Sequence, residues 1–251
     1  MSALPPFAIG WGLGAGLGAA ALVWLMQRAG FDRRQMAIVV TLLTAAVLIG
    51  SKLLYLAESW PSWWSGPATP AEALFSPHMR IPGGILMAIL VGPLIARAIG
   101  VAFLAYADVA APAAGVLLAG VRIGCLLQGC CFGTRSHLPF AVRFPAGSDA
   151  HAWQVGATLI HPHTPWSEPV HALQIYFALA GVALFVLLAL RQRRPRFPGE
   201  ILLLLGVGYF WTTWALEFFR QVPHAFSQSL ALVVAVVLTL VYVTVRRGTA
   251  V

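Results

Sequence analysis

Apolar runs of about 20 residues, the length an α-helix needs to cross a bilayer, recur along this chain from residue 6 to residue 245. A chain so built cannot fold as an ordinary soluble domain. Hydrocarbon offers no partner to a backbone N–H or C=O, so such runs must be helices that bond internally. Only 10% of the 251 residues are charged and 59% are hydrophobic, whereas soluble domains carry about 25% charged residues. The expected fold class is therefore an all-α integral membrane protein, a single polytopic domain over residues 1–251. The net charge of +8 is explained by topology, and no nucleic-acid partner is expected. Three cysteines are too few for a disulfide scaffold. Met1–Pro6 lacks the basic leader of a cleavable signal peptide, so the first run reads as a span.

Seven spans are expected, at about residues 6–26, 35–56, 81–96, 105–122, 170–190, 199–219 and 227–245. The first carries Gly10, Gly12, Gly14, Gly16 and Gly18, small residues that let a neighbouring helix approach closely. Residues 59–67 are rich in Trp and Pro and belong at an interface, and a short amphipathic or re-entrant piece should follow as far as Arg80. Loops after spans one, three, five and seven hold ten of the 16 Lys and Arg residues. The positive-inside rule then puts the N-terminus outside and the C-terminus in the cytoplasm. Residues 128–168 become a polar excursion on the outer face.

One stretch stands out, Arg122-Ile-Gly-Cys-Leu-Leu-Gln-Gly-Cys-Cys-Phe-Gly133. An arginine closing an apolar run is costly unless it has a partner or a task. The glycines at 124, 129 and 133 would let a ligand or another backbone come close. The plain alternative is a snorkelling arginine and a Gly-rich helix cap. Asp108 reads as a helix-start carboxylate.

Further polar groups fall at span ends. His171 and Gln174 are spaced to share a helix face, with Tyr176 beside them. Glu217 and Arg220 are likewise three apart, either a local ion pair or part of a phosphate site. Arginine suits phosphate because its fork bonds two oxygens. His161-Pro-His163, with His151, His171, Cys130 and Cys131, would allow a zinc site, but neither Cys-x-x-Cys nor His-x-x-x-His is present, and no metal or cofactor is expected.

These residues resemble the bacterial prolipoprotein diacylglyceryl transferase family. The resemblance rests on Asp108-Val-Ala-Ala-Pro112, on the 122–133 stretch, and on Leu138-Pro-Phe-Ala followed by Phe144-Pro. It continues in His171-Ala-Leu-Gln174-Ile-Tyr176 and in Gly208-Tyr209 leading to Glu217-Phe-Phe-Arg-Gln221, and covers about residues 5–245. Such a protein would sit in the bacterial cytoplasmic membrane as a transferase. It would move a diacylglyceryl group from phosphatidylglycerol to the lipobox cysteine of a prolipoprotein, whose signal peptide would be its second partner.

Carried over residue by residue, the resemblance makes Arg122, His171 and Glu217 the catalytic group. It makes Gly83, Gly84, Gln128, Cys130, Arg143, Gln174, Tyr176 and Arg220 substrate-binding. The chain departs from the family pattern at several positions. Pro82 stands where the family has the His of His-Gly-Gly, Cys125 replaces an Asn, Gln128 and Cys130 replace the Asn and Glu of Asn-Gly-Glu, and Thr213 falls at a usual arginine. Two alternatives stay open: a divergent paralogue with another acceptor, in which Cys130 or Cys131 takes part, and a non-catalytic protein that binds anionic lipid.

Overall fold

The computed structural model describes residues 6–65, 69–76, 79–222 and 225–248. The described residues form helices joined by irregular segments, with no strand beyond isolated bridges. The helices are α1 (Pro6–Arg28), α2 (Arg33–Ser65), α3 (Pro70–Phe75), α4 (Ile81–Ala98), α5 (Phe103–Gln128), α6 (Asp149–Gly156), α7 (Leu173–Arg191), α8 (Glu200–Glu217) and α9 (Ala225–Gly248). Six of them, α1, α2, α4, α5, α7 and α9, are long and apolar enough to cross a membrane. The chain is thus a multi-pass membrane protein. The expected sixth span, α8, is not among those six: its 18 residues begin and end on glutamates and include Thr212, Thr213, Trp211 and Trp214.

The chain forms two compact units. In the unit of residues 19–110, α2 lies against α4 through glycines. A Cβ on Gly83 would meet the Gly50 backbone and, at 2.5 Å, the Leu54 Cβ. One on Gly84 would meet Ser51 Oγ at 2.5 Å. Gly83 and Gly84 therefore serve close helix packing. At the end of this pair Lys52 donates to the Ser76 carbonyl at 2.6 Å, and Arg80 pairs with Glu58 at 2.5 Å. The short piece expected before Arg80 is α3, started by a reciprocal Thr69–Glu72 capping box. The bonds from Thr69 hold the Glu72 carboxyl below the usual carboxylate range. Of the 59–67 segment, residues 59–65 continue α2, and 66–67 lie outside the described residues.

The other unit comprises residues 1–18 and 111–251. Gly10, Gly14 and Gly18, spaced one turn apart, face Gly124, Gly120 and Leu117 of α5, with Gly10 directly against Gly124. On another side of α5, Gly115 meets Gly181 of α7 backbone to backbone. Small residues at these crossings bring helix backbones into van der Waals contact, which is what drives association in lipid. The base of α8 is fixed by Glu200, which is fully buried. Arg191 grips both of its oxygens at 2.7 Å, and the Arg196 amide and the Tyr242 hydroxyl donate to it as well.

Two expectations about helix ends are corrected. Asp108 does not start a helix: α5 begins at Phe103, and Asp108 is buried within it. Arg122 does not close its run, because α5 continues to Gln128.

Candidate functional site

α5 ends in a Schellman-type cap. Gly129 has φ +73°, Cys130 N–H donates to the Cys125 carbonyl at 3.1 Å, and Gly129 N–H donates to Leu126 at 3.2 Å. The chain therefore folds back on its own helix. The next residue, Cys131, also lies in the left-handed region, at φ +56°. This conformation is uncommon for a residue other than glycine. Cys125, Cys130 and Cys131 converge as a result, their sulfurs within 4.8 Å of one another.

The segment after the cap is clamped from two sides. Gly133 N–H donates to the His171 carbonyl at 2.9 Å, His171 N–H to Thr134, and Thr134 N–H to the Phe219 carbonyl at 2.8 Å. A Cβ on Gly133 would press on His171 Cβ and Phe219 O, both at 2.6 Å. Only glycine lets these strands of backbone meet. His171 thus precedes α7 in an extended stretch, and the expected sharing of a helix face with Gln174 is corrected. His171 Nδ1 lies 3.1 Å from the Tyr176 hydroxyl, and its ring also packs on Phe219.

Gln174 is fully buried in the first turn of α7 and donates to the Cys130 carbonyl at 2.5 Å. Its Oε1 has no hydrogen-bond partner among the described residues. Arg122, half-buried, stacks its guanidinium 4.1 Å above the Phe177 ring. It lines a small cleft with Tyr209 and Thr213, and also an apolar groove of about 400 Å³ that holds Leu17, Ile123, Ile175 and Leu179. Arg220 Nε bonds Glu217 Oε1 at 2.7 Å in a nearly buried pair. Glu217 Oε2 is buried with no hydrogen-bond partner among the described residues.

These groups act on one another. The Cys131 thiol is held far below its usual range, first by the thiols of Cys125 and Cys130 donating to it, with the charges of Arg122 and Arg220 adding to the effect. The Cys130 thiol is driven upward by the same neighbours and by burial. Arg122, His171, Gln174, Tyr176, Glu217, Arg220 and Cys130 therefore belong to one neighbourhood.

Gln128 is turned to the excursion instead, donating to Asp149 at 3.1 Å. Arg143 is exposed and makes no ion pair among the described residues. Gly83 and Gly84 belong to the other unit. Phe132, Phe144 and Ala150 of the excursion form a core with Val170, which follows it. His151 bonds the Thr164 carbonyl, while His161 and His163 stack on each other at its exposed edge. Sequence reasoning missed the convergence of Cys125 with the cysteine pair, although a glycine ending an apolar run signals such a cap.

The sequence profile of the family described as "Prolipoprotein diacylglyceryl transferase" matches residues 2–246. A protein of Bordetella avium is 31% identical over 186 residues, 74% of this chain and 64% of its own length. One of Methylibium petroleiphilum is 29% identical over 242 residues, 91% of this chain and 85% of its own length. One of Azotobacter vinelandii is 30% identical over 232 residues, 89% and 80%. All three bear the name phosphatidylglycerol–prolipoprotein diacylglyceryl transferase.

Proposed function

The chain belongs to the prolipoprotein diacylglyceryl transferase family, and from that membership we propose that it matures lipoproteins, moving a diacylglyceryl group from phosphatidylglycerol to the lipobox cysteine of a prolipoprotein. The acceptor sulfur attacks the glycerol carbon that bears the phosphate. A C–S bond forms, the C–O bond to phosphate breaks, and glycerol phosphate leaves. The thiol proton passes to a base and from there to the leaving group.

The observation that carries this reading is the position of Arg122, which lines both a small cleft with Tyr209 and Thr213 and an apolar groove of about 400 Å³. That combination suits an anionic headgroup whose acyl chains remain in an apolar setting. Arg122 holds the phosphate and so stabilises the charge that grows on it. Arg220, oriented by Glu217, supports it. The free Oε2 of Glu217 accepts a proton or a hydroxyl hydrogen bond. His171, steadied by Tyr176, handles the thiol proton. Gln174 and Cys130 shape the wall, and Gln128 and Arg143 contribute on the excursion side. With α8 as a seventh span the N-terminus lies outside the bacterial cytoplasmic membrane, and the site opens to the outer face, where a prolipoprotein signal peptide arrives.

The test is transfer of label from phosphatidylglycerol to a lipobox peptide by the purified protein in detergent. Wild type should transfer and Arg122→Ala should not. Absence of transfer by a folded wild type, with lipid bound less by Arg122→Ala, would favour a second reading, in which the site keeps its lipid and serves another acceptor. The cysteines at 125 and 130, where the family pattern has Asn and Glu, favour that reading.

A further inference from the structure

We infer that Cys125, Cys130 and Cys131 form a three-thiolate site for a soft monovalent cation, copper(I). Their sulfurs lie within 4.8 Å of one another. Two thiolates on one d10 ion, at metal–sulfur distances of about 2.3 Å, stand at most about 4.6 Å apart. Small side-chain rotations thus bring all three onto a common ion. None of the three is in a disulfide, one is buried and two are half-buried.

The backbone delivers these ligands from one short piece of chain. The cap at Gly129 turns Cys130 back onto Cys125, and the left-handed backbone at Cys131 sends its side chain to the same point. Gln174 bolts the turn in place through the Cys130 carbonyl. Ligand identity selects the ion. Thiolates are soft donors that favour copper(I), zinc and iron–sulfur clusters. Structural zinc takes four ligands, and this cluster holds no imidazole or carboxylate among the described residues. His151 and His171 are engaged elsewhere. Copper(I) is satisfied by three thiolates.

Binding forms three Cu–S bonds and releases the thiol protons to solvent, with no change of oxidation state. The assembled centre is anionic, and Arg122 and Arg220 offset that charge, the latter shared with Glu217. The inference does not depend on the transfer reaction, and its readout is metal uptake.

The experiment uses the full chain, reduced and stripped of metal in detergent, with copper(I) offered as its bicinchoninate complex. Wild type should withdraw one copper per chain. Cys130→Ser and Cys131→Ser should each weaken uptake by more than the about 10- to 100-fold that loss of a metal ligand's hydrogen-bond partner costs. Cys125→Ser should do the same, and its elution as a monodisperse species shows that it has folded. A His161→Ala/His163→Ala double variant should take up copper as wild type does. Copper left on bicinchoninate would overturn the proposal. So would uptake indifferent to the serine variants, uptake lost in the histidine variant, or displacement of the copper by equimolar zinc.

Discussion

Gln174 donates to the carbonyl of Cys130 at 2.5 Å, tying the first turn of α7 to the turn that ends α5. The two residues are 44 apart in sequence, and this bond fixes the cysteine turn against the helix that carries Phe177 beneath Arg122.

Replacing Gln174 with Leu leaves the Cys130 carbonyl without this donor. An unsatisfied buried polar group costs about 1–3 kcal/mol. Thermal unfolding in detergent should fall accordingly, and alkylation of Cys130 and Cys131 in the folded protein should speed up. Gln174→Glu should be as damaging, because it presents an acceptor to an acceptor.

Cys131 should react with a small neutral alkylating reagent well below the pH at which free thiols do. Ordinary thiols titrate near about 8.5. The neighbouring thiols and arginines lower the Cys131 value, so its thiolate persists as the pH falls. In metal-free protein the rate of single-site modification should begin to fall only at a lower pH than it does for an ordinary thiol. Cys131→Ser should abolish the acid-side reaction, and Arg122→Met should move the profile toward higher pH.

The Glu217–Arg220 pair is nearly buried, and removing one member leaves an uncompensated charge. Such loss costs about 3–5 kcal/mol. Arg220→Met and Glu217→Met should each lower the midpoint of unfolding, and the double variant should recover part of that loss. Glu217→Gln keeps the shape of the side chain but leaves the Arg220 charge uncompensated, so it should also lower the midpoint of unfolding, and it should lose transfer activity.

Glu200 should be among the most sensitive positions for stability alone. Its carboxylate is fully buried and bonded by Arg191, the Arg196 amide and the Tyr242 hydroxyl. Glu200→Ala should cost about 3–5 kcal/mol, read as a lower melting temperature in detergent. Protein that remains folded should transfer lipid at the wild-type rate per molecule.

The helices were legible because an apolar run of bilayer length has few other ways to bond its backbone. Their ends were less so. Arg122 looks terminal in sequence, yet Ile123 to Gln128 carry α5 on, because Gly124 there packs against Gly10. Val170 and His171 look like the start of a span, but their backbone groups bond Val142, Gly133 and Thr134, which holds the chain extended until Leu173. α8 is interrupted in hydropathy by its threonines, tryptophans and terminal glutamates. Of the candidate site, Arg122, His171, Tyr176, Glu217 and Arg220 were readable as polar groups at the borders of apolar runs. The cysteine trio was not, because its spacing matches no metal signature and its convergence depends on two left-handed residues, Gly129 and Cys131, just past the helix end.

The glycine crossing of α1 on α5 also limits how such a protein can diversify. Gly10 against Gly124 and Gly14 against Val121 leave no room on the flanks of Arg122 for a larger residue. On the proposed role of Arg122, headgroup preference should change through the residues that line the small cleft beside it, Phe177 on α7 and Tyr209 and Thr213 on α8. Relatives that handle different lipids should differ there and keep the glycine wall unchanged.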